Sequence, residues 1–190
     1  MSRLLIIGPP GAGKGTQAVK ISERLNIVAI STGDIFRANV KGGTPLGIEA
    51  SKYIDNGDFV PDSVTNNMVE DRLNQDDVAQ GFLLDGYPRT SAQVDALDAM
   101  LANKGIALDA VLQLTADDDE LVARLLKRAE IEGRADDTEE VIRHRLSLYN
   151  EETRVVVDRY EERGIVRKVD GLGAIDEVTE RVLAALNVNA

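Results

Sequence analysis

GPPGAGKGTQ, residues 8–17, follows directly on the apolar run LLII at residues 4–7. Four glycines and two prolines in ten residues rule out an ordinary helix start. The stretch matches G-x-x-x-x-G-K at Gly8, Gly13 and Lys14. Glycines at Gly11, Gly13 and Gly15, with the small Ala12 between, let several backbone N–H groups point inward. A helix starting behind them adds its positive end, and Lys14 adds a mobile point charge. A loop of this kind holds phosphate. The usual pattern puts a hydroxyl residue next to the lysine; here Gly15 intervenes and Thr16 follows. Phosphate binding alone is shared by GTPases, ATPases and kinases.

The chain outward from this loop alternates strand-like and helical stretches. Residues 3–7 and 27–31 read as strands flanking a helix at Lys14–Leu25, the start of a βαβ unit. Short helices are expected at 34–41, 45–56 and Asp62–Leu73, with Asp62 as N-cap of the last. Strands follow at Gly81–Asp85, 108–114 and 165–169, with helices at 91–104, 117–130, 138–162 and 174–186. Asp137 with Glu140 fits a capping box, and 131–137 reads as a polar connector. The expected fold is α/β: a five-stranded parallel sheet with helices on both faces. It is read as a single domain, 1–190, with a core of 1–30, 61–127 and 138–190. Residues 31–60 carry helices without a strand and read as a substrate-facing insertion.

The net charge of −11 argues against a nucleic-acid or anionic-membrane surface. No apolar run approaches the roughly 18–20 residues that span a bilayer, nor does the start carry a signal-peptide core. Cysteine is absent, which removes disulfides and thiolate metal sites. A cytoplasmic protein is expected. In so acidic a chain, an anionic ligand needs cations gathered locally. Arg124 and Arg128 stand four apart and share a helix face, with Arg134 and Arg145 downstream. Asp85 closes the apolar run 82–84, where an acidic residue would hold Mg²⁺.

Five landmarks occur in order: residues 8–17; Ser31-Thr32-Gly33-Asp34 with Arg37; Asp85-Gly86-Tyr87-Pro88-Arg89 with Gln93; Gly133-Arg134-Ala135-Asp136-Asp137 with Arg145; and Val169-Asp170-Gly171. Together they resemble the nucleoside monophosphate kinases over the whole length, and within them the adenylate kinase family. The resemblance implies phosphoryl transfer from Mg-ATP to AMP. It assigns Gly11, Ala12, Gly13, Lys14, Gly15, Thr16 and Arg128 to ATP, with Gly173 at the donor base. It assigns Thr32, Arg37, Asp58, Phe59, Val60, Gly86, Tyr87, Pro88, Arg89 and Gln93 to AMP. Lys14, Arg89, Arg124, Arg128, Arg134 and Arg145 would face the phosphates in transfer, Arg134 and Arg145 also meeting the AMP phosphate. Gln93 would read the base, its amide matching adenine's amino group and ring nitrogen. Thr32 and Gln93 stand where the similar pyrimidine kinases are expected to carry Ala and Asn. Mg²⁺ would sit on Asp85, with Asp34 sharing the role through water. Residues 128–137 form a short lid, which implies a monomer without structural zinc. Three alternatives stay open: a UMP/CMP kinase, a GTP:AMP phosphotransferase, and a nucleotide sensor without turnover.

Overall fold

The strand-like and helical stretches fold, in a computed structural model, into one parallel sheet wrapped by helices. The structure describes residues 2–9, 11–56, 60–133 and 138–186. The first half runs β1 (Ser2–Ile7), α1 (Lys14–Leu25), β2 (Val28–Ser31), α2 (Thr32–Gly42), α3 (Pro45–Asp55) and α4 (Asp62–Leu73). A short 3₁₀ turn (Asp76–Val78) leads to β3 (Gly81–Asp85), α5 (Ser91–Asn103), β4 (Ala110–Thr115) and α6 (Asp118–Glu132). The chain continues through α7 (Glu139–Glu161), β5 (Val166–Asp170) and α8 (Ile175–Ala185). The strand order is β2-β3-β1-β4-β5, with every neighbouring pair parallel.

Strand alternation sends side chains to two separate cores. Leu4, Ile6, Leu83 and Leu112 enter one; Leu5, Phe82, Leu84 and Val111 enter the other. Because both faces are covered, the central strand β1 reads as a continuous apolar run. The first core is closed by α1, α6 and α8 through Ile21, Leu121 and Val182. The second is closed by α4 and α5 through Met68 and Leu97, with Ile35 and Ala50 from α2 and α3. Helix α7 belongs to both: Ile142 and Leu146 pack into the first core, Val156 and Tyr160 into the second. A buried polar pair ties α1 to α8. Thr179 donates its hydroxyl to Gln17 Oε1 at 2.6 Å, and Gln17 Nε2 donates to the Ile175 carbonyl at 2.9 Å.

Several local expectations are corrected. Helix α2 starts at Thr32 rather than two residues later. The N-cap of α4 is Pro61; the Asp62 carboxylate turns away to partners on α5. Helix α6 runs two residues beyond 130 and closes at Gly133. The cap of α7 is Thr138, whose hydroxyl accepts from Val141 N at 3.3 Å. Asp137, expected there, lies outside the described residues.

Candidate nucleotide site

Parallel strands bring every functional segment to one edge, because each strand's C-terminal end faces the same way. The glycine loop follows β1, residues 86–89 follow β3, and Thr32 follows β2. These strands are adjacent in the sheet, so their loops meet.

The glycine loop turns on left-handed backbone at Gly11 (φ +86°) and Gly13 (φ +78°), open to glycine at little cost. Gly13 caps α1 without a side-chain bond, and the first helical N–H to find a backbone acceptor is that of Gln17. The amides of Lys14, Gly15 and Thr16 therefore face outward at a helix N-terminus. Ala12 is buried beneath the loop, and Gly15 and Thr16 are exposed on it. Lys14 Nζ stands 2.7 Å from Asp85 Oδ1, an ion pair by distance rather than an aligned hydrogen bond.

Two adjoining clefts open on this edge. The first, about 690 Å³, is lined by the glycine loop, residues 86–89, Arg128, Arg145 and the α7 side chains Leu148, Tyr149, Glu152 and Thr153. The second, about 600 Å³, is lined by Thr32, Gly33, Phe36, Val60, Thr65, Gln93 and Val155. Gly86, Arg89 and Glu152 border both. Lys14, Arg89, Arg128 and Arg145 thus gather positive charge in a chain of net charge −11.

The wall between the clefts is built around Gly86 (φ +90°). A Cβ there would stand 2.5 Å from Thr32 Oγ1. The Thr32 hydroxyl makes a long contact, 3.5 Å, to the Asp85 carbonyl. Arg89 Nε donates to the Gly86 carbonyl at 3.0 Å, which holds the guanidinium at the shared border. Tyr87 is buried, and its hydroxyl donates to Asn66 Oδ1 at 2.7 Å. Burial, with smaller contributions from Tyr160, Asp62 and Glu70, holds that phenol well above the usual tyrosine range. Pro88 follows through a cis peptide and lines the first cleft.

Gln93 is buried, with both ends of its amide engaged. Its Oε1 accepts from the Arg89 backbone N–H at 2.7 Å, and its Nε2 donates to Asp62 Oδ1 at 2.8 Å. One N–H and one lone pair are left for a ligand.

Other expected site residues lie apart from the clefts. Arg124 is exposed, its guanidinium 3.5 Å from the Gly11 carbonyl beside the loop. Arg37 is ion-paired with Asp34, both exposed, and neither lines the second cleft. Asp34 lines a separate hollow with Met68, Asp71 and Arg72. Gly173 lies in the β5–α8 connection, where Gly171 N–H donates to the Thr115 carbonyl at 2.7 Å. That connection abuts the glycine loop, since a Cβ on Gly171 would stand 3.5 Å from the Ala12 carbonyl. Asp58, Phe59 and Arg134 lie outside the described residues.

Sequence reasoning missed Glu152 and its neighbours on α7, and the partnership of Asp62 with Gln93. Asp85 presents a single carboxylate beside Lys14. That oxygen donor suits a hard cation held largely through water, not a full protein cage. Among the described residues, no three acidic or histidine side chains cluster as a ready-made metal cage, and no helix is long and apolar enough to cross a membrane.

Comparison with known proteins is consistent with this geometry. The model of the adenylate kinase family matches residues 6–165. An adenylate kinase of Pseudarthrobacter chlorophenolicus is 72% identical over 98% of this chain and 97% of its own length. One from Renibacterium salmoninarum is 69% identical over 98% and 97%. One from Thermobifida fusca is 55% identical over 99% of this chain and all of its own.

Proposed function

The chain belongs to the adenylate kinase family, and from that premise we propose that it moves the terminal phosphoryl group of ATP onto AMP, reversibly, giving two ADP. The observation that carries the reading is the pair of clefts joined at Gly86, Arg89 and Glu152. The glycine-loop cleft takes the donor, and the cleft of Thr32 and Gln93 takes the acceptor. A phosphate oxygen of AMP attacks the γ-phosphorus while the bond from that phosphorus to the β–γ bridging oxygen breaks. No protein nucleophile is required. The work is positioning and charge neutralisation.

Outward amides at Lys14–Thr16 cradle the donor phosphates, and Lys14 follows the charge as a point cation. Arg89, at the shared border, touches both substrates' phosphates. Arg128 and Arg145 enclose the donor cleft, and their planar forks suit phosphate oxygens. Arg134 and Arg124 complete the set in this proposal. Asp58, Phe59 and Val60 line the acceptor pocket, and Gly173 meets the donor base. Arg37 exchanges Asp34 for the AMP phosphate. Mg²⁺ bound to ATP would be held through water by Asp85, and it supplies neutralisation of phosphate charge. Residues 31–60 and 128–137 close over the substrates and exclude water, so that phosphoryl transfer outruns ATP hydrolysis. The enzyme maintains adenine nucleotide balance, as a monomer in the cytoplasm.

The test is a discontinuous assay with Mg-ATP and each of AMP, GMP, CMP and UMP, following ADP by chromatography. The expected result is strong turnover with AMP alone. Preference for a pyrimidine would overturn the reading of Thr32 and Gln93. Tight ATP binding without turnover would make the protein a sensor.

A further inference from the structure

The acceptor reading above rests on Gln93, and a side-chain amide is an ambiguous reader. Rotated by 180°, it exchanges donor for acceptor. In one orientation it offers N–H to the bare ring nitrogen of adenine and C=O to the amino group. In the other it matches a base with a carbonyl and a ring N–H, such as hypoxanthine. Gln93 alone therefore does not select adenine.

Two neighbours remove the ambiguity. The Arg89 backbone N–H only donates, and it meets Oε1 at 2.7 Å. An ionised carboxylate only accepts, and Asp62 Oδ1 meets Nε2 at 2.8 Å. Both force the same orientation. The carboxylate is itself held from α5: the Thr90 hydroxyl contacts Asp62 Oδ2 at 3.3 Å and accepts from Gln93 N at 3.1 Å. Gln93 is only 7% exposed, so water cannot easily replace a lost partner.

We infer that Asp62, on α4 and outside the phosphate machinery, is a specificity-determining positioning residue that locks the Gln93 amide in the adenine-reading orientation. It acts through Gln93 and touches no reacting atom. An aspartate suits the task where an asparagine does not, because an amide at position 62 can donate as well as accept. That side of the site would then accept either orientation of Gln93, leaving the Arg89 N–H as the one remaining group that favours the adenine-reading one.

The experiment compares kcat and KM for AMP and inosine monophosphate, with Mg-ATP, in the wild type and Asp62→Asn. Inosine monophosphate differs from AMP only in the carbonyl and ring N–H on that edge. The expected result is a rise in KM for AMP with kcat nearly held, and a fall of about tenfold in the AMP-to-inosine monophosphate ratio of kcat/KM. Asp62→Ser, which can also donate or accept, should move the ratio the same way. Asp62→Glu, which keeps an acceptor-only group, should restore part of it. An unchanged ratio in folded Asp62→Asn overturns the inference. So does loss of the cooperative thermal melt in both Asp62→Asn and Asp62→Ser, which would make the residue structural. If the wild type itself fails to use AMP, the functional proposal falls instead, and the two failures are distinguishable.

Discussion

Replacing Gly86 by alanine should damage both the fold and the acceptor cleft, by amounts that can be separated. The residue sits at φ +90°, where a side chain costs about 1–3 kcal/mol in backbone strain. The new methyl would also stand 2.5 Å from Thr32 Oγ1. Thr32 is buried, so its hydroxyl must rotate and give up the 3.5 Å contact with the Asp85 carbonyl. That contact is long, and its loss with the associated repacking is worth about 1 kcal/mol. The total is about 2–4 kcal/mol. Urea denaturation of Gly86→Ala, Thr32→Ala and the double variant resolves the parts. In the Thr32→Ala background the clash is absent, so Gly86→Ala should cost about 1 kcal/mol less, leaving the strain alone. KM for AMP should rise more than KM for ATP, because Thr32 lines only the second cleft. A single-variant cost below about 0.5 kcal/mol, or the same cost in both backgrounds, would refute the steric account.

Thr179→Val leaves the buried Gln17 Oε1 without the hydroxyl it accepts from. It should cost about 1–3 kcal/mol in urea denaturation, with phosphoryl transfer at 25 °C unchanged because neither Gln17 nor Thr179 lines a cleft. Thr90→Ala removes the cap of α5 and should cost about 1 kcal/mol by the same measurement. Alkaline titration gives another test: burial raises the phenols of Tyr87, Tyr149 and Tyr160, that of Tyr149 to about 12. An unfolded tyrosine ionises near about pH 10, so the unfolded state loses protons first. Stability should be full below about pH 10 and fall as pH rises through the folded-state values. Tyr149→Phe should flatten that fall in urea midpoints measured upward from pH 8.

The glycine loop and the parallel sheet were legible because their signals are local. Gly11 and Gly13 need only their own backbone conformations, and LLII needs only to be apolar on both faces. The arginines were legible as a gathering of charge, and Lys14, Arg89, Arg128 and Arg145 do meet at one cleft. Asp62 was not legible. Its position at the start of α4 suggests a cap, but partners on α5 outcompete its own helix. Ile142, Leu146, Tyr149, Thr153, Val156 and Tyr160 follow one helical stripe along α7. Tyr149 and Thr153 continue its period but are half-buried and line the donor cleft. Periodicity identifies the inward face of a helix; it does not say where the interior gives way to an opening. Glu152 stands beside that stripe, and nothing in its sequence neighbourhood marks it as bordering both clefts.

Helix α7 has a consequence for how the molecule comes apart. A sheet divides the interior into two apolar compartments, and such compartments can melt one after the other. Here a single continuous helix is rooted by Ile142 and Leu146 in one and by Val156 and Tyr160 in the other. Losing either compartment strips anchors from the same rod and exposes apolar surface on the far side of the sheet as well. The two halves of the interior are thereby mechanically fastened into one unfolding unit. Amide protons along the middle of α7 should then exchange with solvent only when the whole chain opens, even though that stretch borders water-filled clefts.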